Sequence, residues 1–141
     1  MDQFLTPVLA LILWSLIIWT LMYVRRIPAM NKAKIAPDTA RNPDGEWKSR
    51  LPETAQFAAH NYNHLMEQPT IFYALMFYLQ LSGSAAGDGM ALKLAWAYVI
   101  LRVLHSLVQV TVNKVMLRFG LFSISTIVLI IMACRAVADV L

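Results

Sequence analysis

Charge is what this sequence has least of. Lys, Arg, Asp and Glu make up 14% of its 141 residues, against 59% apolar residues, where soluble domains carry roughly 25% charge. A soluble core built from one domain's worth of chain cannot hide that much apolar surface, so a lipid-embedded fold is expected. Cysteine is nearly absent as well. The single Cys134 rules out an intrachain disulfide and, set in an apolar run, reads as a small packing residue rather than a nucleophile. Internal repeats and low-complexity tracts are missing. The formal net charge of +4 does not make the chain a nucleic-acid binder. Seven of the twelve Lys and Arg residues (Arg25, Arg26, Lys32, Lys34, Arg41, Lys48 and Arg50) share one connecting segment, where Asp38, Asp44, Glu46 and Glu53 dilute them. No aromatic residues interleave with them as a nucleic-acid groove requires.

What is present is a set of four apolar runs. Residues 4–24 are 21 positions without a charge, enough to cross a hydrocarbon core about 30 Å thick. Pro7 lies in the first turns, where a missing N–H costs least. The run is too long for a signal peptide, no basic residue precedes it, and Arg25 and Arg26 follow at once; it reads as a retained helix. Residues 25–55 form a charged loop that holds Pro28, Pro37, Pro43 and Pro52. Further spans are expected at 57–81, 91–112 and 119–138, separated by the small-residue turn 82–90 and the basic connection 113–118. The fold class is therefore an all-α membrane protein, a single bundle of four transmembrane helices. Nine Lys and Arg residues lie in the first and third connections and two, Lys93 and Arg135, on the opposite side. The positive-inside rule then places both basic loops in the cytoplasm and both termini outside it.

Polar residues inside these spans are expensive, at roughly 2.5–3.5 kcal/mol for a central Arg or Asp, so they face a cavity or a partner. On the second span His60, His64 and Glu67 follow the i, i+4, i+7 stripe of one helix face, with Asn63 beside them. On the third, Arg102, His105 and Gln109 follow i, i+3, i+7. Two apolar helices with matching polar stripes bury them against each other or against a neighbouring subunit, and Glu67 with Arg102 forms the expected ion pair. Three readings of the stripes stand side by side. They fasten helices together, as interhelical polar contacts do. They hold zinc through His60, His64 and Glu67 completed by His105, a pattern with no second shell to support it, so no metal is assigned. Or they line a pocket for an anionic small molecule, with Arg25, Arg26, Lys114 and Arg118 supplying guanidinium and ammonium groups from the helix ends. Arg118 alone also reads as an interfacial residue reaching for water.

The stretches NHLMEQPTIF (63–72) and RVLHSLVQVTVNKVMLR (102–118) resemble the MAPEG family, the membrane-associated proteins of eicosanoid and glutathione metabolism. The family pattern on the second helix runs Arg, Asn, Glu, then Pro and Phe. Glu67, Pro69 and Phe72 match it, while His60 stands at the usual Arg and His64 at the usual Asn, with Asn63 adjacent. The Arg-x-x-His of the prostaglandin synthase members is matched by Arg102 and His105; a tyrosine that many members carry one turn on is Gln109 here. Arg118 matches the arginine credited with activating the glutathione thiol, and Arg25 and Arg26 look like the paired arginines ending the first helix.

The resemblance implies a homotrimer of four-helix subunits in the lipid bilayer, in the inner or plasma membrane for a bacterial-type member. It implies glutathione as co-substrate, bound in clefts between neighbours, and a lipophilic electrophile as the other substrate. The activity implied is a transferase or peroxidase in which Arg118 stabilises the thiolate. Arg26, His60, Asn63, His64, Glu67, Arg102, His105 and Gln109 would bind the tripeptide, with no general base needed if the thiol is acidified enough. The alternative is a non-catalytic scaffold or lipid-binding protein of the same fold, as the family includes in the five-lipoxygenase-activating protein.

Overall fold

A computed structural model of the protein describes residues 3–84 and 89–140, and every regular element in it is helical. Residues 85–88, within the turn expected at 82–90, lie outside the described residues. The first helix, α1 (Thr6–Lys32), opens with Pro7 in its first turn and runs 27 residues, about 40 Å at 1.5 Å per residue. It does not stop where the charge begins. Arg25, Arg26, Ala29, Met30 and Lys32 are good helix formers and carry the helix through Pro28, so the lipid boundary and the helix boundary differ. The end comes at Lys34, which adopts φ 52°. There the Ile35 N–H reaches the Met30 carbonyl at 3.0 Å and the Lys34 N–H reaches Asn31 at 3.1 Å, a Schellman closure. Ile35 then packs with Trp47 and Leu51 against Ala29 and Met30 in a small satellite core. The expected loop 25–55 is thus short of its first eight residues and folded, with 3-10 turns at Pro37–Arg41 and Glu46–Arg50.

The span expected at 57–81 is two helices, α2 (Glu53–Leu65) and α3 (Gln68–Leu81). Pro69 is the cause: it has no N–H for the Leu65 carbonyl, and its ring collides with that carbonyl in a continuous helix. Met66 closes α2 by donating to Asn63 at 2.9 Å, and Thr70 donates through N–H (3.1 Å) and hydroxyl (2.6 Å) to the Glu67 carbonyl. Neither half is long enough to cross a membrane alone. Among the described residues three unbroken helices are long and apolar enough to do so: α1, α4 (Gly89–Val110) and α5 (Val115–Ala138). Helix α5 starts four residues earlier than its apolar run, which brings Arg118 into its first turn. The α4–α5 turn closes on Asn113 at φ 48°, a conformation that asparagine tolerates better than most residues.

Helix α4 is central, packed along α5 and touching α1 and α2, while α2 lies along α1. The core between them holds Leu11, Ile18, Leu65, Phe72, Met76, Ala95, Tyr98 and Met132. Phe72 stacks on Tyr98 with ring centroids 4.5 Å apart, and Ala91 and Ala95 let the helices approach closely. The outward faces of α1 and α5 carry Leu9, Leu13, Ile17, Ile127 and Ile130, all exposed, as lipid contact requires.

Candidate functional site

The break at residues 66–67 organises the polar half of the bundle. A helix leaves its last carbonyls without intrahelical partners, and one buried in the protein needs a donor from another element. Arg102 of α4 answers this: its Nη2 donates to the His64 carbonyl at 3.1 Å, and its guanidinium lies 5.5 Å from the Phe122 ring centroid of α5. The side chain is fully buried. A cation at the C-terminal end of α2 also suits the helix dipole. The expected Glu67–Arg102 ion pair is therefore not made. Glu67, carried past the end of α2 with ψ −101°, points outward with its side chain 68% exposed and pairs with His64 Nδ1 at 3.1 Å.

Seven of the nine residues singled out from the sequence line one cavity of about 290 Å³: His60, Asn63, His64, Glu67, His105, Gln109 and Arg118. The His64 ring sits 4.9 Å from that of His105 and 5.2 Å from Phe122. Gln109 is buried and accepts from Asn61 Nδ2 at 2.8 Å, so its amide oxygen is committed to holding α2 against α4. Arg118 is half-buried and donates through Nη1 to the Asn113 side chain, which the tight α4–α5 turn presents to it. Its Nε, like the Nδ1 of His105, is buried without a hydrogen-bond partner.

The remaining two residues lie apart. Arg102 stands behind the cavity as the cap of α2. Arg26 lines an adjoining cavity of about 240 Å³ with Trp47, Lys48 and Gln56, and this cavity shares His60 and Asn63 with the first. Arg25, expected to act with Arg26, instead donates to the carbonyls of Val110 (2.9 Å) and Thr54 (3.2 Å), tying the end of α4 to α2. Lys114 precedes α5 and does not line either cavity. Among the described residues no three His, Cys, Asp or Glu side chains converge as a metal-ligand set.

Sequence reasoning missed Trp47, Phe122 and Gln68. The indole of Trp47 is buried, donates to the Asn42 carbonyl at 2.7 Å and supports Arg26 from 4.9 Å. Gly45 makes room for it, since a Cβ there would meet the indole at 2.7 Å. A lone tryptophan in a charged loop was the available signal. Gln68 bridges three helices, donating to Thr126 at 2.9 Å and accepting from Tyr98 at 3.3 Å; nothing in its spacing marked it.

A sequence model of the MAPEG family matches residues 4–138. No curated protein and no solved structure gives a match.

Proposed function

The chain belongs to the MAPEG family, and from that premise we propose a membrane-embedded, glutathione-dependent transferase or peroxidase acting on lipophilic electrophiles. An integral membrane protein of a family in eicosanoid and glutathione metabolism is the frame; the chemistry is read from the cavity. The observation that carries the reading is the convergence of His60, Asn63, His64, Glu67, His105, Gln109 and Arg118 on one cavity, with Arg26 in the cavity adjoining it. A tripeptide with two carboxylates, an ammonium and a thiol needs cations spaced apart, one acceptor and several neutral donors. That donor set is present, and the unpaired Arg118 Nε and His105 Nδ1 are buried atoms that a polar ligand would satisfy.

When bound, glutathione supplies a nucleophilic thiol. Arg118 places a guanidinium at the cavity, where partial exclusion of water strengthens its hold on an anion. Arg26, braced by Trp47, offers a fork for a carboxylate. Glu67 offers an acceptor for the ammonium, and Asn63 and His60 offer neutral hydrogen bonds. The second substrate arrives from the bilayer.

The same surface supports a homotrimer. His60, Asn63 and Glu67 are exposed on the single chain, and ionisable groups at membrane depth need cover; a neighbouring copy would supply it. The nine-to-two asymmetry of Lys and Arg supports an orientation with the basic loops cytoplasmic, both termini outside, and α2 with α3 making the second of four crossings. A scaffold reading is favoured by one observation, that Arg102, Gln109 and Gln68 are spent on joining helices.

Equilibrium binding of glutathione to the detergent-purified protein separates the two. Binding with thiolate absorbance is expected. Arg118→Ala should stay folded and bind glutathione slightly more weakly while losing the thiolate signal. A thiol acidified by about two pH units corresponds to roughly 2.7 kcal/mol, and Arg118→Lys should restore only part of it. Saturating glutathione without thiolate absorbance, or full absorbance in the alanine variant, removes Arg118 from this role. Absence of binding leaves the scaffold reading.

A further inference from the structure

We propose that His64 is a general base in this site, with Glu67 as its positioning partner, so that the thiol proton passes to the protein rather than to water. The inference rests on the glutathione-binding reading of the cavity. Three imidazoles line that cavity, from His60, His64 and His105, and only one of them meets a carboxylate. His64 Nδ1 lies 3.1 Å from Glu67 Oε2. His105 Nδ1 is buried without a partner, and His60 is exposed. A carboxylate acceptor fixes the neutral tautomer: Nδ1 carries the hydrogen and Nε2 keeps its lone pair. Among the described residues Nε2 makes no hydrogen bond, so the lone pair is available to a ligand.

The backbone break produces this pairing. His64 occupies the last turn of α2 and Glu67 stands at the head of α3. The turn at Met66 swings the carboxylate onto the edge of the ring three residues back. His105 and Phe122 pack against the same ring at 4.9 and 5.2 Å and limit its rotation. The charged and titratable groups around His64 are Glu67 from the head of α3, Arg102 and His105 from α4, and Arg118 from α5. Once the thiol has ionised, two anions, the thiolate and Glu67, face one imidazolium and two guanidinium groups.

The S–H bond breaks, its proton forms a bond to His64 Nε2, and the electron pair stays on sulfur beside Arg118. Sulfur then bonds to the electrophilic carbon as the bond to the leaving group breaks. The imidazolium returns its proton to the departing anion, and Glu67 holds the ring throughout.

The rate of thiolate formation tests this without turnover. Glutathione is added to the solubilised protein at about pH 8, above the ordinary imidazole range, over a series of buffer-base concentrations, and thiolate absorbance is followed in time. Wild type is expected to form thiolate at a rate independent of the buffer base. His64→Gln should form it about 10²-fold more slowly and regain rate as imidazole is added. Glu67→Gln should bind glutathione more weakly, since Glu67 also faces the ammonium, and at saturating glutathione should lower the plateau rate of thiolate formation and shift the acid limb of its pH profile. A packing role would reduce amplitude without moving that limb. A wild-type rate that rises with added buffer base, so that the proton leaves to a solvent species, overturns the base assignment while leaving glutathione binding intact, and this measurement needs no variant to fold. Failure of the wild type to bind glutathione overturns both.

Discussion

Helix α5 and the pair α2–α3 carry apolar stretches of comparable length, yet they treat their surroundings differently. Helix α5 runs unbroken from Val115 to Ala138, buries Ser125, Leu129, Met132 and Ala136, half-buries Phe122, Thr126 and Val128 against the bundle, and exposes Ile124, Ile127, Ile130 and Ile131. Its backbone is satisfied within itself, which is the condition for facing lipid. The α2–α3 pair is interrupted at Pro69, so its freed carbonyls need partners from other helices. Arg102 takes the His64 carbonyl, and Gln68 reaches Thr126 and Tyr98 from the first turn of α3. His64 and Glu67, which flank the break, line the cavity, while Arg102, Gln68, Thr126 and Tyr98 join the broken pair to α4 and α5 without lining it. One proline thus accounts both for the defect in the helix and for where the candidate site lies.

The largest effect that would break this comparison is expected at Arg102. Arg102→Met strands the His64 carbonyl and removes the contact with Phe122, a loss of about 3 kcal/mol in thermal or denaturant unfolding in detergent. Glu67→Gln should cost under about 1 kcal/mol, as exposed pairs do. Because the two residues do not touch, the double variant should lose their sum to within about 0.5 kcal/mol. A double variant that loses clearly less than the sum would restore the Glu67–Arg102 ion pair and take the capping role from Arg102.

A smaller effect is expected from healing the break. Pro69→Ala returns a donor to the Leu65 carbonyl and favours a continuous helix. Amide exchange at Glu67 and Gln68, whose N–H groups lie past the last turn of α2 and make no backbone hydrogen bond among the described residues, is expected to be slower than in the wild type. Glutathione affinity should fall about tenfold, or 1.4 kcal/mol, as His64 and Glu67 lose their turn. Unchanged exchange with unchanged affinity would separate the site from the proline.

The last test moves no energy but asks whether the broken pair crosses the membrane as the unbroken helices do. With Cys134 replaced by Ala, cysteines introduced at Asn42 and Asn113 should react with an impermeant thiol reagent from the cytoplasmic side, and one at Ser84 from the other. Labelling of Asn42 and Ser84 from the same side would mean that α2 and α3 form a re-entrant hairpin, with three crossings instead of four.

The sequence by itself determined what depends on transfer into lipid and on local periodicity. Low charge and long apolar runs located α1, α4 and α5, and the polar stripes at 60–67 and 102–109 picked out most of the cavity lining, because spacing along a helix is a local property. Pro69 was visible, yet periodicity treated 57–81 as one span, since hydropathy is blind to a missing N–H. The partners of Glu67 and Arg102 were decided only by the tertiary structure. Opposite charges on facing stripes look like a pair in a list of residues. In three dimensions the buried guanidinium gives Nη2 to an orphaned carbonyl beside an aromatic face, its Nε and Nη1 staying unpaired, and the carboxylate, turned outward by the break, takes the imidazole three residues away. The same holds for Arg25 and Arg26, adjacent in the chain: one caps the end of α4 and the other rests on Trp47 at the cavity. Neighbouring side chains on a helix point about 100° apart, so which of them meets a carbonyl and which a cavity is settled by what packs beside each.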